Sequence, residues 1–138
     1  SHGVEVCGDE GWKGVVENAR PARNYFHELP AFYRDCAINL NFTSIQMPTA
    51  VNQRVFDCPA AGGFLLTDAQ SDIARLFSEN EVVTFASLEE CREKLQAFNK
   101  NATVRLKVVE AARKRLLGEH TYAHRLRTIA NWVMQHFT

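Results

Sequence analysis

Short apolar runs that alternate with segments of helical spacing constrain this chain more than any other feature. Val4-Glu5-Val6-Cys7, Ile38-Asn39-Leu40-Asn41-Phe42, Phe64-Leu65-Leu66-Thr67 and Val82-Val83-Thr84-Phe85 read as strands, with Asn24-Tyr25-Phe26 a weaker fifth. Helical patterns run over 29–37, 52–61, from Asp68 or Ser71 to Phe77, and over 87–98. Ser87 and Glu90 form a capping box, and Gly62-Gly63 ends the 52–61 segment. Two further helices follow without a strand between them, one from Asn101 to a stop at Gly118 and one from Thr121. The last carries an apolar stripe at Tyr122, Leu126, Ile129, Val133 and Phe137. Strands alternating with helices imply helices packed on both faces of a parallel sheet. The expected fold class is α/β: a doubly wound, Rossmann-like parallel sheet of about five strands with extra C-terminal helices, one domain over 1–138.

The 138 residues suffice for one domain with a hydrophobic core. Sixteen Lys and Arg balance sixteen Asp and Glu, so no broad field of one sign draws in nucleic acid or an anionic membrane. A bound anion must therefore be held locally, by backbone amides and single basic side chains. No run approaches the ~20 apolar residues of a membrane-spanning helix, and Ser1-His2 reads as a vector scar. Cys7, Cys36, Cys58 and Cys91 lack CxxC spacing and read as free thiols in apolar segments, which fits a cytoplasmic protein.

Ligands of open α/β sheets bind beyond the carboxyl ends of the strands. The longest polar loop at such an end runs from Thr43 to Val51 and feeds the helix that begins near Asn52. Unpaired amides and the positive dipole end make that helix start suited to phosphate.

The segment TAVNQRVFDCPAAGGFLLT, 49–67, resembles the donor-site segment of GT-B glycosyltransferases. The wider run INLNFT…NQRVFDCPAAGGFLLTD and the later LLGEHTYAHR, 116–125, resemble the CgeB-like, spore-maturation subgroup of the group 1 family. The likeness extends over roughly 4–137. It implies that Asp57 bonds the ribose hydroxyls of a nucleotide, and that the amides of Asn52 and Gln53 meet its diphosphate. Val51 stands beside these amides, and Arg54 is a candidate phosphate contact. Phe26 to Leu29, including His27, matches the loop whose backbone lies against the base. Thr49 stands where many members carry an acidic residue that contacts the donor sugar. The implied ligand is a nucleoside diphosphate sugar, held without cofactor or metal, since no Asp-x-Asp occurs. The family's first strand-helix unit and its acceptor-binding N-terminal lobe have no counterpart here. The chain then reads as the C-terminal lobe of a hexosyltransferase-type enzyme, inactive alone, partnered by its own N-terminal lobe or by self-association.

Duller readings stand beside these. Asp57 can be a solvated helix residue, Arg54 its surface ion-pair partner, and His27 a loop residue. His120 and His124 lie four apart as metal ligands can, yet caps explain them as well. Gly8, Gly11 and Gly14 lack the dinucleotide fingerprint and read as turn glycines beside a core Trp12. Pro59 sits inside the 52–61 helix, where it removes an amide and should bend the chain. The alternative functions are a non-catalytic, flavodoxin-like interaction or receiver module, and a degenerate glycosyltransferase that binds nucleotide without chemistry.

Overall fold

The computed structural model describes residues 3–137; Ser1 and His2, read above as a vector scar, lie outside it. Strand β1 (Val6–Gly8) pairs in parallel with β2 (Ala19–Pro21) across a short connection that holds a single 3-10 turn, Glu10–Trp12. Helix α1 (Leu29–Asp35) leads to β3 (Asn39–Asn41), α2 (Arg54–Ala61), β4 (Leu65–Asp68), α3 (Ile73–Leu76) and β5 (Val83–Phe85). Three consecutive helices close the chain: α4 (Leu88–Asn99), α5 (Ala102–Glu119) and α6 (Tyr122–Phe137).

The fold is α/β with parallel strands throughout, as the alternation requires. Among the described residues, five strands form two parallel sheets, β1-β2 and β3-β4-β5, in place of one. The smaller sheet is half-buried to exposed, and Pro21 has no N–H to extend its ladder. Strand β2 went unread because Ala19-Arg20-Pro21 has no apolar pattern; it exists through its pairing with β1. The weak strand at Asn24-Tyr25-Phe26 is instead a turn. Asn24 Oδ1 accepts from the amides of Phe26 and His27, both at 3.0 Å, and Asn24 O accepts from Glu28 and Leu29. A short amide side chain that bonds its own backbone competes with strand pairing in this way.

The three-stranded sheet separates two apolar clusters. Leu65 and Val82 face Tyr33, Val55, Cys58, Ile73, Phe77 and Leu116, whereas Leu66, Val83 and Phe85 face Cys91 and the partly buried Leu95 and Phe98. Successive residues of a strand point to opposite faces, so Leu65 and Leu66 serve different layers. Helix α5 contributes to both clusters, with Leu116 in one and Val108 and Val109 against the other. Strand β3 inverts the usual reading of an alternating strand. Its polar members are the buried ones, Asn41 being 2% exposed, while Leu40 is half-exposed and the adjoining Phe42 is 52% exposed. Hydrogen bonding explains this, because Asn39 Nδ2 donates to Tyr33 O at 2.9 Å and to Phe64 O at 3.2 Å.

Local signals at helix ends match the structure closely. Ser87 Oγ accepts from Glu90 N at 3.1 Å, Asn101 Oδ1 accepts from Val104 N at 3.2 Å, and Gly62 ends α2 at φ +92°. Gly118 does not stop α5, which runs one residue further to Glu119. The stop falls at His120, whose ring packs against Phe56 and Phe77 while Nε2 lies 3.1 Å from Leu76 O. His120 and His124 therefore serve the α5–α6 junction, where His124 Nδ1 lies 2.7 Å from Thr121 Oγ1. Trp12 is not core: it lies half-exposed over Gly8, where any Cβ would meet its ring. Cys58 and Cys91 are buried, Cys7 and Cys36 half-buried, and all four are free. No helix among the described residues is long and apolar enough to cross a membrane.

Candidate functional site

Two polar clusters meet at the start of α2. The first lies at the carboxyl ends of β3 and β4. Asn41 Nδ2 donates to Thr67 Oγ1 at 2.9 Å, and the carboxamides of Asn41 and Asn52 bond each other. Asn52 Oδ1 also accepts from Arg54 N at 3.1 Å, a local turn bond just ahead of α2, which begins at Arg54 rather than at Asn52. Arg54 turns away from Asp57 and donates through Nη1 to Asn41 Oδ1 at 3.4 Å, so the expected surface ion pair does not form. Among the described residues the amides of Asn52 and Gln53 take no acceptor. They stand at the positive end of the helix dipole.

Asp68 closes this cluster at the end of the middle strand. Burial pushes its pKa up, but donors outweigh that and hold it below the ordinary value: Gln70 at 2.7 Å, Thr43 N and Oγ1 at 2.8 and 2.9 Å, and Thr67 Oγ1 at 3.2 Å. The carboxylate thereby ties the 43–51 loop to β4. Thr49 lies exposed in that loop, its carbonyl accepting from Asp72 N at 3.2 Å, and Val51 packs against the core.

The second cluster lies on the outer side of α2. Asp57 Oδ2 accepts from the Tyr25 phenol at 2.5 Å, and that phenol accepts from Gln53 Nε2 at 2.6 Å. The bond to Asp57, then desolvation, pushes the Tyr25 pKa up to about 12. Asp57 and Tyr25 belong to the wall of an open cleft of about 290 Å³, with Phe26, Leu29, Pro30 and Tyr33 on the α1 side and Ala60 and Ala61 on the α2 side. Most of this wall is apolar. Phe26, 80% exposed, stands edge-on to Tyr25 with ring centroids 5.2 Å apart. His27 is exposed in the turn beside it, outside the cleft wall.

The structure thus brings Asp57, Phe26 and Leu29 to one cleft, and sets Asn52, Gln53 and Arg54 at the adjoining helix start. Thr49, Val51 and His27 stand apart from the cleft wall. The sequence pattern gives Tyr25, Asn41 and Asp68 no place in the site. Only Asn41 carried a local signal, as a polar residue inside a strand flanked by apolar ones. Among the described residues no three His, Cys, Asp or Glu side chains group so as to hold a metal ion.

No curated protein and no solved structure matches this chain. A family model described as glycosyl transferase-like matches residues 1–131, a span that takes in both clusters, the cleft and all five strands. The chain therefore belongs to the glycosyl transferase-like family, and its function is of the glycosyltransferase type.

Proposed function

We propose that the chain is the donor-binding lobe of a two-lobed, GT-B type glycosyltransferase of the CgeB-like kind, taking a nucleoside diphosphate sugar. The observation that carries this reading is the position of Asp57. Its carboxylate borders an apolar cleft of a size and chemistry suited to a nucleobase, one to two turns from amides suited to a diphosphate. In this reading the base lies along Phe26 to Leu29, the ribose hydroxyls bond Asp57, and the diphosphate meets the amides of Asn52 and Gln53 with Arg54 near. The sugar then points toward Thr49 and the strand ends. Acceptor and general base belong to the other lobe, because transfer needs both substrates held together in one cleft. The chain alone is then expected to turn over no sugar.

Calorimetry with UDP and GDP tests this. Asp57→Ala is expected to weaken binding about ten- to a hundredfold, the loss of a charge-assisted bond pair. Asp57→Glu should be tolerated, and Thr49→Ala should leave nucleotide affinity unchanged. Binding should survive a chelator, since backbone amides neutralise the diphosphate. Equal affinity in the wild type and Asp57→Ala removes the ribose assignment. The receiver-type alternative gains nothing from Asp68: it ends the middle strand, but its oxygens are already taken by four donors.

A further inference from the structure

The phenol of Tyr25 holds the very carboxylate on which the ribose contact depends. Its bond to Asp57 Oδ2 is short, at 2.5 Å, and its oxygen is steadied from behind by Gln53 Nε2 at 2.6 Å. The phenol therefore donates once and accepts once, as a sugar hydroxyl does. We infer that Tyr25 is an internal competitor for the ligand: it fills a lone pair of the Asp57 oxygen to which a ribose hydroxyl would bond, and nucleotide binding displaces it. This inference rests on the donor-site reading above.

Three observations support displacement over a shared site. A ribose diol binds a carboxylate best through both oxygens, and the phenol already fills one of the two acceptor directions of Oδ2. The ring is 44% exposed and lies on the rim of the cleft, so it can swing outward without opening a void in the core. Its anchor is local, because the turn that carries it is closed by Asn24 and Glu28: Glu28 Oε2 accepts from Asn24 N at 2.7 Å. Only the side-chain torsions of Tyr25 need change. Gln53 is released in the same step, next to the amides assigned to the diphosphate. Ribose entry at Asp57 and phosphate entry at the α2 start are thereby coupled through one side chain.

A double-mutant cycle tests this on the whole 138-residue chain, with UDP titrated into wild type, Tyr25→Phe, Asp57→Ala and the double variant. Phenylalanine keeps the ring contact with Phe26 and removes only the competing hydroxyl. Tyr25→Phe is expected to tighten UDP about three- to tenfold, a modest gain because the phenol is partly exposed. The same change in the Asp57→Ala background is expected to have no effect, since nothing remains to compete for. If Asp57→Ala weakens UDP but Tyr25→Phe leaves it unchanged or weaker, the competitor role is overturned and the donor site stands. If no variant binds UDP, or if Asp57→Ala binds as well as the wild type, the donor-site reading fails and this inference falls with it.

Discussion

The carboxamides of Asn41 and Asn52 grip each other in a reciprocal pair: Asn52 Nδ2 donates to Asn41 Oδ1 at 3.0 Å, and Asn41 Nδ2 donates to Asn52 Oδ1 at 3.3 Å. One residue ends β3 and the other accepts from the first amide of α2, so the pair clamps a strand end to a helix start across the 43–51 loop. The geometry of the candidate diphosphate site hangs on that clamp.

Asn41→Ala should therefore destabilise the fold and loosen the site together. It strips Thr67 Oγ1 and the Asn52 carboxamide of buried partners, which costs about 1–3 kcal/mol. A urea titration should show a lower midpoint with an unchanged slope. UDP affinity should fall even where the protein remains folded. Stability equal to that of the wild type would mean that water replaces the amide at no cost.

The Tyr25 phenol should ionise late. Its ordinary value of 10.0 is pushed up to about 12, mainly by the bond to Asp57, then by desolvation. The folded state thus keeps this proton where the unfolded chain has lost it. The associated stability is full below pH 10 and disappears as the pH rises toward about 12. Ultraviolet titration of the wild type and Tyr25→Phe isolates this group. Asp57→Asn should bring its ionisation back toward 10; no change would place the cause elsewhere.

Two glycines should respond oppositely to alanine. At Gly63 an added Cβ would lie 2.6 Å from Tyr33 O and 2.9 Å from both Asn39 Nδ2 and Cys58 Sγ. Backbone and strand must shift, and a loss of about 1–3 kcal/mol is expected. Gly118 is exposed inside α5 with nothing within 4 Å. Gly118→Ala should stabilise by about 0.5–1 kcal/mol, the helix-propensity difference. Thermal melts of the two variants check both signs.

Helix α6 should drive association at high concentration. None of its residues is buried, and Tyr122, Leu126, Ile129, Val133 and Phe137 form a continuous apolar stripe with Trp132 at its edge, 54% exposed. An apolar face of this extent tends to find a partner. Light scattering should report growth in mass with concentration, and Ile129→Asp should suppress it. A strict monomer at millimolar concentration would refute this.

The sequence by itself determined what depends on neighbours along the chain. Ser87, Asn101 and Gly62 marked helix ends because capping is settled within a few residues. Phe64 to Thr67 declared a buried parallel strand because three large apolar residues run together with no alternation. The helix start near Asn52 and the acidic residue one to two turns on were legible for the same reason. Tertiary structure decided the rest. The alternation over Ile38 to Phe42 cannot say which set is buried, and distant carbonyls and carboxamides bury the asparagines, with Phe64 O lying 25 residues from Asn39. Nor can residues 32 positions apart announce that the Tyr25 phenol donates to Asp57. The local pattern of Asn24 to Phe26 weakly favoured a strand, and only the turn closed by Asn24 brought the phenol to the carboxylate. Hydrophobic and capping signals act over a few residues, whereas a binding site is assembled from side chains that meet only after the sheet and its helices have packed.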